Sequence, residues 1–210
     1  MIYLEVLCEG SSDVPAIREI LTRGCKLVED QDFRIHPHQG KGRLPATPLA
    51  KPVQGRNTLL DLLPIKLRNY GKQAQGDYET AVLVLVDADG DDCKSLKKSL
   101  VDLLDKLDAK PARILFRIAV EETESWFIAD GAAVAKAYPH AKISELKKYP
   151  ADSICGAWER LAEALGLDPQ YDADKTAWAM AISPHIDLNS PKSPSLKCLV
   201  QGMSRLMKFV

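Results

Sequence analysis

The side chains with the most chemistry to offer are Asp87, Asp89, Asp91 and Asp92, four carboxylates within six residues of the stretch AVLVLVDADGDD. Clustered carboxylates repel one another and titrate upward unless a hard cation holds them ionised, so a divalent metal is the first expectation. Two other places repeat the pattern. Glu9 and Asp13 follow the apolar run at the start of the chain, and Glu121, Glu122 and Glu124 follow Ala112 to Val120. Each also has an ordinary structural account. Asp91 or Asp92 suits the cap of a helix that starts near Cys93, and Asp13 or one of the glutamates suits the positive end of a helix. Asp87 and Asp89 are therefore the first ligands to name. Three strands that end in acid at one sheet edge make a site for two hard divalent cations, Mg²⁺ or Mn²⁺, roughly 3.5 to 4 Å apart.

The elements that must position these groups read as an α/β fold with a mostly parallel sheet flanked by helices. Val82 to Val86 is an apolar run too short for a lone helix, which reads as a strand buried on both faces. Ile2 to Cys8 reads as the first strand, followed by a turn at Gly10 and a helix carrying Val14, Ile17, Ile20 and Leu21. Ser11 or Ser12 is its expected N-cap, with Pro15 in the first turn. The turn has neither GxGxxG nor GxxxxGK[ST], so a nucleotide-binding loop is not expected. Phe33 to His38 reads as a second strand; His36 and His38 alternate along it but lack a third metal ligand nearby. The loop from Gln39 to Arg56 contains Gly40, Lys41, Gly42 and Arg43. Its default reading is a solvated connection, and its glycines and positive charge also suit contact with a phosphate. Thr58 to Tyr70 reads as a helix, 71–77 as a turn, Cys93 to Leu107 as an amphipathic helix and Ala112 to Val120 as a strand. In open parallel sheets, ligands sit at the carboxyl ends of the strands, where all three acidic groups fall.

A helical C-terminal extension, 136–210, packs on the α/β domain formed by 1–135. Within it, Asp152 to Leu165 carries Ile154, Trp158, Leu161 and Leu165 at helical spacing with Gly166 as its stop, so Trp158 reads as core. Ala177 to Ile186 follows, then a Ser/Pro loop and a short terminal helix. His185 either reaches a substrate phosphate or packs locally.

Composition excludes several classes. The 210 residues are 46% hydrophobic and 27% charged with a net charge of −1, so there is no overall basic footprint and nucleic-acid contact needs a local patch or a partner. No apolar run is long enough for a membrane span, and the acidic residues in MIYLEVLCEG argue against a signal peptide. Five cysteines without CxxC spacing fit reduced thiols in a cytoplasmic protein.

Glu9-Gly10 after the first strand and Asp87-Ala88-Asp89 after a later one resemble the Toprim domain of topoisomerases, primases and OLD-family nucleases. The Glu9 to Asp13 spacing and the glutamates after the following strand are closest to the OLD-type variant. The segments CEGSSD, HQGKGRL, VLVDADGDDCKSLK, RIAVEETESWFIAD and AISPHIDLNSPKSPSLKCLVQGM resemble, in that order, an uncharacterised bacterial family of compact Toprim-like proteins. Members of that family are often encoded beside an ABC-type ATPase in arrangements like phage-defence systems. The resemblance implies a Mg²⁺- or Mn²⁺-dependent nuclease acting on nucleic-acid phosphodiesters with a partner ATPase, in a possible homo-oligomer. Under it Glu9 binds metal and serves as general acid or base, Asp13 supports the same metal, and Asp87 and Asp89 hold Mg²⁺. Glu124, with Glu122 as the alternative, completes a second metal position, and Lys41, with Arg43 and His185 at the substrate, neutralises charge on phosphate. The alternative is a non-catalytic metal-binding or regulatory subunit of an ATPase complex.

Overall fold

A computed structural model describes residues 2–51, 53–73, 79–153 and 156–207. Four strands form one all-parallel sheet: β1 (Ile2–Cys8), β2 (Phe33–Pro37), β3 (Glu79–Asp87) and β4 (Arg113–Ala119), in the order β2-β1-β3-β4. Leu7, Val84 and Phe116 share a row across the three strands β1, β3 and β4. β3 is central, and its run from Ala81 to Val86 is buried without a break, because helices cover both faces of a parallel sheet.

The two faces of β3 sort by the two-residue period of a strand. Val82, Val84 and Val86 join Leu7 and Phe116 in the core under α2 (Leu59–Lys72) and α3 (Cys93–Asp105). Ala81, Leu83 and Leu85 join Leu4, Val6 and Cys8 in the larger core on the other face. That core is roofed by α1 (Val14–Glu19), which runs on as one π-turn over Ile20–Gly24, and by α4 (Glu124–Ala129), α5 (Gly131–Ala137), α6 (Ile143–Leu146), α7 (Ala157–Leu165), α8 (Lys175–Ile182) and α9 (Pro194–Leu206). The helices after residue 136 therefore bury their apolar faces in the same core as α1 and the sheet.

The caps explain most boundaries. Asp92 caps α3, its carboxylate accepting the Ser95 N–H at 2.9 Å. Gly166 ends α7 in the left-handed region, as expected of a C-terminal glycine. Three expectations need correction. Neither Ser11 nor Ser12 caps α1; Asp13 holds the N-cap position, and its carboxylate is used elsewhere. α7 begins at Ala157, not Asp152, because Asp152 has positive φ and breaks the helical run, while Ile154 lies outside the described residues. The terminal helix is a full 13 residues, because Ser193 caps it and Leu196, Leu199, Met203 and Leu206 give it a buried face. The expected turn over 71–77 falls mostly outside the described residues.

Candidate functional site

The acidic groups collect where the strand order reverses. β1 is followed in sequence by β2 on one side and in space by β3 on the other, so their carboxyl ends flank the crevice in which open parallel sheets place ligands. Glu9 lies just beyond β1, and Asp87 closes β3. Glu9 Oε1 accepts the Asp87 backbone N–H at 2.8 Å, which ties the two strand ends together through one of the expected site residues. Asp13, 4% exposed, accepts the Gly10 N–H at 3.0 Å with one oxygen and the Thr123 hydroxyl at 3.0 Å with the other. One carboxylate thus joins the end of β1 to the segment after β4.

The three glutamates after β4 divide by role. Glu121 has φ of 62° and turns its carboxylate onto the Gly156 and Ala157 N–H groups, where it caps α7. Glu122 and Glu124 turn the other way, to a residue that the sequence reading missed. Lys175, at the start of α8, places Nζ 3.1 Å from Glu122 Oε1 and 3.3 Å from Glu124 Oε1. Its Nζ also lies 5.8 Å from the Trp158 ring centroid. Trp158 is half-buried: it packs against the larger core, as its spacing predicts, and it also forms a wall beside the carboxylates. With Asp89, Glu121, Glu122 and Glu159 it lines a cleft of about 270 Å³.

Lys41 supplies a second internal cation. Its Nζ donates to the Ala88 carbonyl at 2.9 Å and lies 3.2 Å from Asp89 and 2.6 Å from Asp91. The loop that carries it is pinned: Gly40 N–H donates to the Glu9 carbonyl at 2.9 Å, and the Gly40 and Lys41 carbonyls accept from Leu59 and Leu60 at the start of α2. Gly42, at φ of 68°, packs so closely on Thr58 and Asp61 that a Cβ there would collide with both. This part of the loop is thus no loose solvated connection.

The electrostatics record the crowding. Burial, followed by Asp13, Glu9, Glu124 and Glu122, pushes the Asp87 carboxyl well above its ordinary value. Burial lifts Glu9 to about 7 against the opposing Asp87 N–H bond, and Asp89 and Asp13 add to the rise. Burial likewise lifts Glu124 to about 7, with Lys175 pulling it down and Glu122 pushing it up. Asp13 and Glu122 are also raised, chiefly by burial.

A hard divalent cation fits the chemistry of this donor set: all are carboxylate oxygens whose charge is disfavoured where they stand. Glu122 Oε2 is buried with no hydrogen-bond partner among the described residues. Among the described residues, no three His, Cys, Asp or Glu side chains close around one point. Lys41 and Lys175 now supply the positive charge, and binding a cation requires the carboxylates to draw in.

A family model described as a domain of unknown function, DUF4276, matches residues 8–204. The chain belongs to that family. The DUF4276 match runs from the last residue of β1 into α9 and so takes in every carboxylate of the cluster and both lysines. No curated protein and no solved structure matches the chain.

The remaining expected residues stand apart from the cluster. Arg43 is exposed on the pinned loop, and among the described residues only its backbone N–H is engaged, with Asp61 at 3.4 Å. His185 is exposed in the short 3₁₀ turn Ser183–His185, which follows α8 at the opposite end from Lys175. That turn is anchored by Arg23, which donates to the Ser183 and Ile186 carbonyls. His36 pairs with Glu5, and His38 Nδ1 donates to the Cys8 carbonyl at 2.8 Å, so neither faces the acidic cluster. Cys8, Cys25, Cys93 and Cys198 are free thiols, and no described helix is long and apolar enough to cross a membrane.

Proposed function

We propose that this protein is a Mg²⁺- or Mn²⁺-dependent phosphodiesterase of the Toprim type, cleaving nucleic acid in concert with a partner ATPase in defence against phage or plasmids. The observation that carries the reading is the gathering of Glu9, Asp13, Asp87, Glu122 and Glu124 at the switch point of a parallel sheet, each with its charge disfavoured. Such an arrangement asks for a hard cation. The resemblance of Glu9-Gly10 and Asp87-Ala88-Asp89 to Toprim and OLD-type motifs supplies the reaction class, and the partner ATPase rests on that resemblance alone.

When bound, a hard cation would supply a lowered pKa for water and stabilisation of charge on the phosphoryl oxygens. Asp87, Glu9 and Asp13 would hold it at one side of the cluster, Glu122 and Glu124 at the other. Glu9 would take the proton of the attacking water as the new oxygen–phosphorus bond forms. The ester bond then breaks, and the departing oxygen takes up a proton from solvent water. Lys41, fixed by the Ala88 carbonyl, offers its ammonium to a non-bridging phosphate oxygen. Trp158 walls the cleft and limits water on that side.

Calorimetric titration of Mn²⁺ tests the site, with a Glu9→Gln/Asp87→Asn double variant beside it. Binding that is lost in the variant, together with metal-dependent cleavage of DNA or RNA that is lost in Asp87→Ala, is the expected result. Cleavage retained in Asp87→Ala removes Asp87 from the mechanism.

A second reading is a non-catalytic metal-binding or regulatory subunit of an ATPase complex. It is favoured by the two lysines that already neutralise the carboxylates in place. Cation binding without cleavage, with or without the ATPase, selects it.

A further inference from the structure

Beyond Arg113, which pairs with Glu79, the open edge of β4 carries positive charge with no ion pair among the described residues. Ala119 gives its carbonyl to Ala88 on the β3 side at 2.9 Å, so the alternation of a strand turns the Phe116 carbonyl outward. The Arg117 guanidinium sits on that outward carbonyl, with Nη1 donating at 2.8 Å, and Nε donates to the Cys198 carbonyl of α9 at 2.9 Å. Gly202 makes this pose fit, since a Cβ there would fall 2.2 Å from Arg117 Nη2. Burial pushes the Arg117 pKa down; Cys198 opposes the shift and the nearby charge of Arg205 adds to it.

Across from these arginines, Lys94 and Lys97 stand exposed one turn apart on α3. Together they line a groove of about 750 Å³ that runs up the β4 edge to Val120, one residue short of Glu121. None of the four cations has an ion-pair partner among the described residues. The groove's one carboxylate, Asp152, is already taken by the Ser193 hydroxyl at 2.6 Å and the Ser195 N–H at 2.5 Å. In a chain of net charge −1, this is a local and directional surplus.

We propose that the groove is a phosphate track that receives the backbone of a nucleic-acid strand and leads it toward the acidic cluster. The proposal rests on the phosphodiesterase reading for its direction, not for its binding. Cations on both walls match a polyanion between them. An added peptide β-strand fits less well, because Arg117 already occupies an edge carbonyl that strand addition needs.

The test is fluorescence anisotropy of a labelled single-stranded oligonucleotide with the full chain in EDTA, so that metal chemistry plays no part. Four phosphate contacts should give a log–log salt slope of about −3. Lys94→Glu/Lys97→Glu, both on an exposed helix face, should weaken binding at least about tenfold and flatten the slope by about 1.4 without moving the melting temperature. Gly202→Ala, which pushes Arg117 aside, should weaken binding too. Unchanged affinity in both variants overturns the track, and so does displacement of the oligonucleotide by an acidic polypeptide that binds more tightly. If Mn²⁺ fails to bind the protein while the oligonucleotide binds as described, the phosphodiesterase reading falls and the track stands. The reverse pattern removes the track alone.

Discussion

Glu9 holds Asp87 by its backbone: one carboxylate oxygen of Glu9 accepts the Asp87 N–H at 2.8 Å, across neighbouring strands that are 78 residues apart in sequence. A catalytic candidate is thereby used as a structural strut. Its carboxylate cannot move far from Asp87 without leaving a backbone N–H unpaired near the core, a loss of about 1 to 3 kcal/mol. The pair therefore responds as a unit to protons and cations.

Stability without metal should fall as pH rises. Glu9 and Glu124 sit at about 7 in the folded chain against an ordinary 4.5, so the folded state holds protons that the unfolded chain has released. Folding stability is then full below the unfolded value of 4.5 and is lost as pH climbs through 7. Each group contributes at most about 3 kcal/mol to this slope. Thermal melts in EDTA from about pH 5 to about pH 8 should show the decline, and Mn²⁺ should raise the melting temperature far more at the alkaline end. A pH-independent melt contradicts the crowding of the cluster.

Glu121 and Glu124 should separate cleanly. Glu121→Ala removes the caps of α7 at Gly156 and Ala157 and should cost about 1 to 2 kcal/mol in denaturant unfolding while leaving Mn²⁺ affinity intact. Glu124→Gln should leave the fold in place, or firm it, and weaken Mn²⁺ binding. Equal losses of Mn²⁺ affinity in the two variants would show that Glu121 belongs among the ligands.

Lys175→Met tests the internal cation. Glu122 and Glu124 lose their ammonium partner, so the metal-free variant should melt lower at neutral pH and recover at acidic pH, where the carboxylates protonate. Mn²⁺ should stabilise this variant more than the parent. A variant that melts like the parent at both pH values shows that the pair contributes nothing to the fold.

Asp152→Ala should destabilise by about 2 kcal/mol in chemical denaturation, since it releases the Ser193 hydroxyl and the Ser195 N–H at the start of α9. Ser195 in turn accepts the buried Trp126 indole N–H at 2.8 Å, so the same variant should change Trp126 fluorescence. Normal emission would show that the Ser195 to Trp126 bond does not depend on Asp152.

Much of the sheet and one flank of the site are legible in the residues. The run Val82 to Val86 can only be a strand buried on both faces, and carboxylates placed directly after it and after Cys8 must emerge at the same edge of a parallel sheet. The other flank is not legible. Lys175 lies in an ordinary polar stretch, and nothing local marks it as the partner of glutamates 53 residues earlier. Thr123 is likewise hidden, because its bond to Asp13 spans 110 residues. Trp158 is legible only in part: helical spacing identifies the face that packs on the larger core, but not that at the first turn of α7 the ring also borders the cleft beside the glutamates. The glycines around Lys41 signal close backbone approach, and the approach is to the start of α2.

The 53 residues between Glu122 and Lys175 also set an order of events during synthesis. At ordinary ribosomal speeds the glutamates precede their lysine by roughly 3 to 10 s. A nascent chain that has already closed its four strands must carry Glu122 and Glu124 protonated, or screened by an ion from solution, until α8 arrives. The start of α8 thus acts as a delivered counter-ion, and in a chain stalled on the ribosome before residue 175 Glu122 and Glu124 still lack it.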